Sequence, residues 1–327
     1  SYLDNAILQQ GISFSLKGNF SEAISTLESL LKEYPNSKFR NETKYWLGYS
    51  KSFKAELTRK KNKKKSISEY KDSIKYFKNV NPKSLTQKQK NQRWYLIGQA
   101  WWILGNISNA AKSWNNYLKG IDYSNPKKSL QIKFKLASRF QNEKKFSKSE
   151  KWYEKIVNEH KNSKLSTESS FWRAEMAYAS ALQKYKNIPK KSTSLIVKHY
   201  NAYLKKDDKK HKALTFYRIG TLQQNFHPLK SINAFKNYLN TKDKIFSSEV
   251  QYRLAHLYIN TNQPQNAINV FKKYLKHGDK TYSKEVKYHL GYLYIDTGQP
   301  QKAIEIFEKY LEIGNKDSIS EIQIRLG

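Results

Sequence analysis

Ser231-Ile232-x-x-Phe235-x-x-Tyr238-Leu239 returns as Ala267-Ile268-x-x-Phe271-x-x-Tyr274-Leu275 and again as Ala303-Ile304-x-x-Phe307-x-x-Tyr310-Leu311, each copy 36 residues after the last. No other feature of the chain constrains its fold as tightly. A repeat of this length is a supersecondary unit that stacks on its neighbours to bury its apolar face. Within each copy, apolar residues fall at i, i+1, i+4, i+7 and i+8, one face of an α-helix. A partner helix precedes each copy: Phe216-x-x-Ile219-Gly220, Leu254-Ala255-x-x-Tyr258 and Leu290-Gly291-x-x-Tyr294. The spacing predicts an all-α solenoid built from helix pairs.

The same frame reads backwards through the chain. The first unit holds Gly11, Phe14, Gly18, Phe20, Ala23, Leu27 and Leu31; the third, Trp94, Gly98, Trp101, Gly105, Ala110 and Trp114; the fourth, Leu136, Ala137, Phe140, Phe146, Ser149 and Tyr153. The second opens on Leu47-Gly48, is interrupted by the basic run 59–65, and resumes near Tyr70, Ile74 and Phe77. The resulting organisation is units one and two in 1–84 with a basic insertion at 59–65, and units three and four in 85–165. A degenerate helical unit without small-residue landmarks follows in 166–209, then three 36-residue units in 210–317. Residues 320–327 repeat 284–291 and 248–255, so 318–327 are expected to begin a further unit that the chain cuts short.

Leu290-Gly291-x-x-Tyr294, then Gly298, then Ala303-x-x-x-Phe307 resembles the tetratricopeptide (TPR) signature. The resemblance implies a right-handed superhelix of about eight helix pairs that binds other proteins. Glycine or alanine at the helix crossing lets two backbones approach, and Gly298 suits the turn between helices. Gly18-Asn-Phe-Ser-Glu-Ala23, Tyr34-Pro-Asn-Ser37 and Tyr45-Trp-Leu-Gly48 resemble a narrower group. These are the TPR units of bacterial envelope proteins: the Tol–Pal coordinator, the barrel-assembly lipoprotein and flagellar-motor scaffolds. That likeness implies a periplasmic setting, with the cytoplasm as the alternative.

Aromatic residues make up 14% of the chain, 24 Tyr and 15 Phe among them, which favours a packed protein over a disordered one. The formal charge is +34 and invites an electrostatic reading. However, only eight of the 61 basic residues are Arg, the side chain best shaped for phosphates and bases. The charge is also uneven: residues 51–90 carry 14 Lys and Arg against three Asp and Glu, net +11, whereas 284–327 carry six against seven, net −1. The run Arg59, Lys60, Lys61, Lys63, Lys64 and Lys65 reads as a solvated loop; binding of nucleic acid or an anionic envelope polymer through 51–90 is the rival reading.

The sequence offers little to an enzyme. It has no Cys, and therefore no thiolate metal site or cysteine nucleophile. Its seven His form no i, i+4 pair with an intervening Glu, and no phosphate loop or nucleophile elbow appears. No catalysis, cofactor, metal or small-molecule substrate is expected. No apolar run approaches the 18–20 residues or so of a membrane span.

Partners of a helix-pair solenoid meet the concave face lined by the first helices. The residues three before each small landmark are Leu8, Tyr45, Tyr95, Phe134, Tyr217, Tyr252 and Tyr288; those just after it include Ile12, Tyr49, His256 and Tyr292. Tyr45, Tyr49, Tyr95, Phe134, Tyr217, Tyr252, His256, Tyr288 and Tyr292 are thus the expected partner-binding set, because tyrosine anchors interfaces well. The competing reading is that these rings seal contacts between neighbouring units. Chaperone clamps use Lys and Asn at these two positions, so that role is not expected here.

Overall fold

The computed structural model describes residues 2–120, 126–206, 208–277 and 280–311. Among these residues there are sixteen α-helices, a single 3-10 turn and no strand. The chain forms two compact units, 1–143 and 144–327, and the division falls inside what the sequence reads as its fourth pair.

Unit one contains α1 (Tyr2–Lys17), α2 (Phe20–Glu33), α3 (Arg40–Arg59), α4 (Lys63–Lys78), α5 (Gln87–Ile103), α6 (Ile107–Gly120) and α7 (Pro126–Asn142). The short 3-10 turn Pro82–Ser84 leads into α5, which starts on a capping box of Thr86 with Gln89. The expected crossings are present. A methyl placed on Gly98 would lie 2.3 Å from the Trp114 indole, so only glycine lets α5 approach α6 this closely. Buried serines fasten second helices to first helices: the Ser73 hydroxyl donates to the Gly48 carbonyl at 2.7 Å, and Ser66 to Ala55 at 2.9 Å.

The basic run departs from its expected form. It is not a loop throughout: Arg59 ends α3, Lys60–Asn62 make the turn, and Lys63, Lys64 and Lys65 are the first turn of α4. The reason is local. Asn62 accepts the Lys65 N–H at 2.9 Å, and such a cap starts a helix even where its first residues are cationic.

Unit two contains α8 (Phe146–Glu159), α9 (Lys164–Lys184), α10 (Lys190–Leu204), α11 (Lys212–Gln223), α12 (Pro228–Asn240), α13 (Ser247–Asn260), α14 (Pro264–Lys276), α15 (Ser283–Asp296) and α16 (Pro300–Leu311). Pro228, Pro264 and Pro300 occupy the first position of successive second helices, where the missing N–H costs nothing and φ is already set. Phe235, Phe271 and Phe307 are essentially solvent-free and pack under the first helices at Gly220, Ala255 and Gly291. The segment read as degenerate follows the same plan. Ile196-Val197-x-x-Tyr200-x-x-Tyr203-Leu204 repeats the second-helix motif, and Ala174, Ala177 and Ala181 supply buried small residues on α9. Gly298 turns between α15 and α16 at φ +69°. The proposed start of a further unit, 318–327, lies outside the described residues.

Candidate partner-binding faces of the first helices

In unit two, one three-residue device recurs at successive junctions. Tyr203 of α10, Tyr238 of α12 and Tyr274 of α14 each accept a backbone N–H eight residues on: from His211 at 3.0 Å, Phe246 at 2.8 Å and Tyr282 at 2.8 Å. The captured residue caps the next first helix and lays its ring on an aromatic of the preceding first helix. His211 stacks on Phe171 with centroids 3.9 Å apart, Phe246 on Tyr217 at 4.1 Å, and Tyr282 on Tyr252 at 4.4 Å. Interplanar angles of 7°, 9° and 15° make all three parallel stacks.

This geometry decides what two of the expected anchors touch. Tyr217 is buried, donates its hydroxyl to Glu249 at 3.0 Å and stacks on Phe246. Tyr252 is half-buried against Tyr282 and His256. Tyr288 and Tyr292, half-buried on α15, pack on each other at 4.7 Å and on Tyr310 and Phe307 of α16. His256 meets His289 edge-on at 4.6 Å. Its Nε2 has no hydrogen-bond partner among the described residues. Burial, reinforced by His289, lowers the His256 pKa to about 4, which keeps the ring neutral in ordinary buffers.

Unit one brings its expected anchors together differently. Tyr45 and Tyr49 of α3 line a cleft of about 490 Å³ with Trp46, Leu16 of α1, the α5 cap Thr86, and Lys88, Gln89 and Gln92 of α5. The rings run on continuously: Tyr45–Trp46 at 5.4 Å, Trp46–Tyr49 at 5.2 Å, Tyr49–Phe53 at 4.6 Å and Phe53–Phe20 at 5.6 Å. Leu16 is 66% exposed at the rim. The cleft therefore has an aromatic wall, an exposed aliphatic lip and a margin of amides and one lysine, the mixture that fixes a protein side chain in place. Tyr95 stands outside it. Its ring packs on Tyr117 at 5.4 Å and carries the Lys128 ammonium 3.5 Å from its centroid. Phe134 is half-buried on α7.

The six basic residues are exposed at the α3–α4 turn. Arg59 pairs with Glu56 at 2.9 Å, and the five lysines have no ion pair among the described residues.

Sequence reasoning missed Leu16 and Trp46 of the cleft, because neither stands at the two positions of the frame from which anchors were chosen. It also missed the junction device, although a signal exists: Tyr203, Tyr238 and Tyr274 are each followed by Asp at +5 and by His, Phe or Tyr at +8. A third omission is Glu175. It accepts the Tyr200 hydroxyl and bonds both arms of Arg218, at 3.2 and 3.4 Å, tying α9, α10 and α11 together.

Three segments match family models described as tetratricopeptide repeat: residues 5–37, spanning α1 and α2, and residues 248–276 and 285–316, which cover α13 with α14 and α15 with α16. The chain carries tetratricopeptide repeats. Proteins built from them generally mediate protein–protein interactions and act as non-catalytic scaffolds. No curated protein sequence matches this chain significantly. Among solved structures, the MamA protein is similar at 15% identity over 56% of this chain and 90% of its own, with a TM-score of 0.42. A tetratricopeptide repeat protein from Parabacteroides merdae is 11% identical over 89% and 98%, TM-score 0.34. The TPR2AB domain of yeast Sti1, solved as a pHSP90 complex, is 12% identical over 96% and 99%, TM-score 0.36. No helix among the described residues is long and apolar enough to cross a membrane.

Proposed function

We propose that this protein is a non-catalytic scaffold in a bacterial envelope assembly, of the kind found around flagellar motors, and that partners dock in the α1–α3–α5 cleft of unit one. The observation that carries docking is the aromatic wall of Tyr45, Trp46 and Tyr49 facing the exposed lip of Leu16. In unit two Phe246 and Tyr282 stack on the equivalent rings Tyr217 and Tyr252; in unit one Tyr45 is buried against Trp46 and Phe77, and the half-buried Trp46 and Tyr49 are the rings the cleft offers. The envelope setting rests on the likeness of the Gly18–Gly48 stretch to periplasmic TPR scaffolds.

Leu16→Glu tests the docking site, because a charge on an exposed lip opposes an apolar ligand while leaving the core intact. Proteins captured from native cells by the wild type and lost by Leu16→Glu support the cleft; an identical set captured by both rejects it. Cell fractionation tests the setting. Recovery with the periplasmic fraction supports it, and recovery in the cytoplasm moves the protein to the alternative.

The exposed lysines at the α3–α4 turn favour a second reading, electrostatic binding of nucleic acid or an anionic envelope polymer. Duplex DNA binding that persists at physiological salt, with a sequence preference, would replace the scaffold reading; binding that fades steeply with salt is charge alone.

A further inference from the structure

The second helices of unit two border a groove of about 910 Å³, lined from α10, α11 and α12. Its floor is apolar, with Val197, Phe216 and Ile219, and Leu229, 65% exposed, stands at its edge. Its margins are amides. Asn201 of α10 and Asn233 and Asn237 of α12 line it, and Asn240 follows where a second hollow of about 550 Å³ extends it toward Lys209 and Asp243. Asn233, Asn237 and Asn240 stand at i, i+4 and i+7, one stripe of a helix. None of the four side-chain amides forms a hydrogen bond among the described residues.

The charge is equally one-sided. Seven lysines line the two hollows against one carboxylate, Asp243. Asp243 already accepts the Tyr238 hydroxyl at 2.7 Å and the Ile245 N–H at 3.0 Å. Of the lysines, Lys210 pairs with Glu168 at 3.2 Å; the other six, Lys205 and Lys230 among them, have no ion pair among the described residues.

We propose that this groove binds an extended acidic peptide segment of a partner protein. A primary amide carries donors and an acceptor together, so one Asn can bond both the C=O and the N–H of a single peptide residue. Asn233 and Asn237 are about 6 Å apart along the α12 axis, close to the 6.6–6.8 Å or so that two residues of extended chain cover. Alternate residues of the guest are held by their backbone, and the side chains between them reach the apolar floor or the lysines. The thirteen residues of α12 run for about 20 Å, room for about six extended residues. Single-stranded nucleic acid fits less well, because it needs exposed aromatic platforms and the aromatic in this floor, Phe216, is half-buried. This surface is separate from the cleft of unit one, and neither reading depends on the other.

The test is fluorescence anisotropy of the full chain with a fluorescein-labelled (Glu-Val)4 peptide. Binding is expected, and Asn233→Ala with Asn237→Ala should weaken it at least about tenfold while leaving the charge unchanged. Methylating alternate backbone nitrogens of the peptide should weaken it comparably, and (Lys-Val)4 should not bind. Alanine on these solvent-facing helix positions favours the helix, and a thermal melt checks that the variant folds. Leu16→Glu should leave peptide binding unchanged. The proposal is overturned if (Glu-Val)4 does not bind, if the double variant or the methylated peptide binds as well as the original, or if oligothymidylate displaces the peptide at equal concentration.

Discussion

The Tyr238 hydroxyl accepts the backbone N–H of Phe246, eight residues ahead, at 2.8 Å and donates to Asp243 at 2.7 Å. One phenol thus closes the junction between two helix pairs, and the Phe246 ring it positions lies flat on Tyr217. Because Tyr238 is fully buried, losing its oxygen strands an N–H that has little access to water. Tyr238→Phe should cost about 1–2 kcal/mol in urea denaturation. Tyr258→Phe is the control: that ring is buried too, but its hydroxyl has no hydrogen bond among the described residues, so the loss should be near zero. Equal effects of the two substitutions would reject the junction device.

Tyr252 should behave as a packing residue. Its stack on Tyr282 and its edge contact with His256 imply that Tyr252→Ala lowers stability by about 2–3 kcal/mol, part burial and part ring pairing. Partner docking at the unit-one cleft should persist below the melting transition. Leu16→Glu should show the reverse pattern, a stability change within about 0.5 kcal/mol and lost docking. Thermal melts alongside binding measurements separate the two. A stable Tyr252→Ala protein with lost docking would restore Tyr252 to the partner site.

The pairs themselves were legible because two constraints of different origin coincide in them. Helical periodicity marks the buried face, and a small residue marks the crossing, so Gly98 could be matched to Trp114 from spacing alone. What Tyr45 and Tyr217 touch could not be read this way, although both stand three residues before a landmark glycine. Their difference lies in what covers each ring: Phe246 reaches back over Tyr217, whereas Tyr45 is buried against Trp46 and Phe77 and the cleft lies beside the half-buried Trp46 and Tyr49. That distinction depends on the path of the connecting loop. The basic run is a turn only over 60–62: cationic density suggested a loop throughout, while the Asn62 cap starts α4 at Lys63.

Two of the crossings that glycine permits, at Gly291 and Gly98, should differ in tolerance. A methyl at Gly291 would sit 2.4 Å from the Phe307 ring, yet in the neighbouring pair Ala255 already coexists with buried Phe271. Gly291→Ala therefore asks for the resetting of one ring, at about 1–2 kcal/mol. At Gly98 the obstructing indole is tethered, since Trp114 donates its Nε1–H to the Tyr95 carbonyl at 3.1 Å. Moving that ring breaks the bond as well, so Gly98→Ala should cost about 3 kcal/mol. Denaturant titration of both variants checks the order, and a Gly291→Ala loss equal to or above that of Gly98→Ala would refute it.

Acid should weaken unit two before it titrates most carboxylates. His199 of α10 is buried, with its Nε2 3.8 Å from Glu150 of α8. Burial, helped by Arg173, lowers its pKa from 6.5 to about 4. His256 is lowered to about 4 by burial and by His289, and His289 itself is lowered by burial. For a base whose folded pKa is depressed, the unfolded chain takes up the proton first. The neutral ring's contribution is therefore complete above pH 6.5 and is lost as pH falls from 6.5 toward 4. Glu150 acts in the opposite sense: burial raises its pKa, so its protonation favours the folded state and offsets part of the loss. Urea midpoints measured between pH 7.5 and 4 should decline across this window. His199→Gln and His256→Gln, which cannot take up a proton, should each lower stability at pH 7.5 and flatten the decline. A wild-type profile that stays level down to pH 4.5, or variants with an unchanged slope, would show that these rings do not govern the acid response.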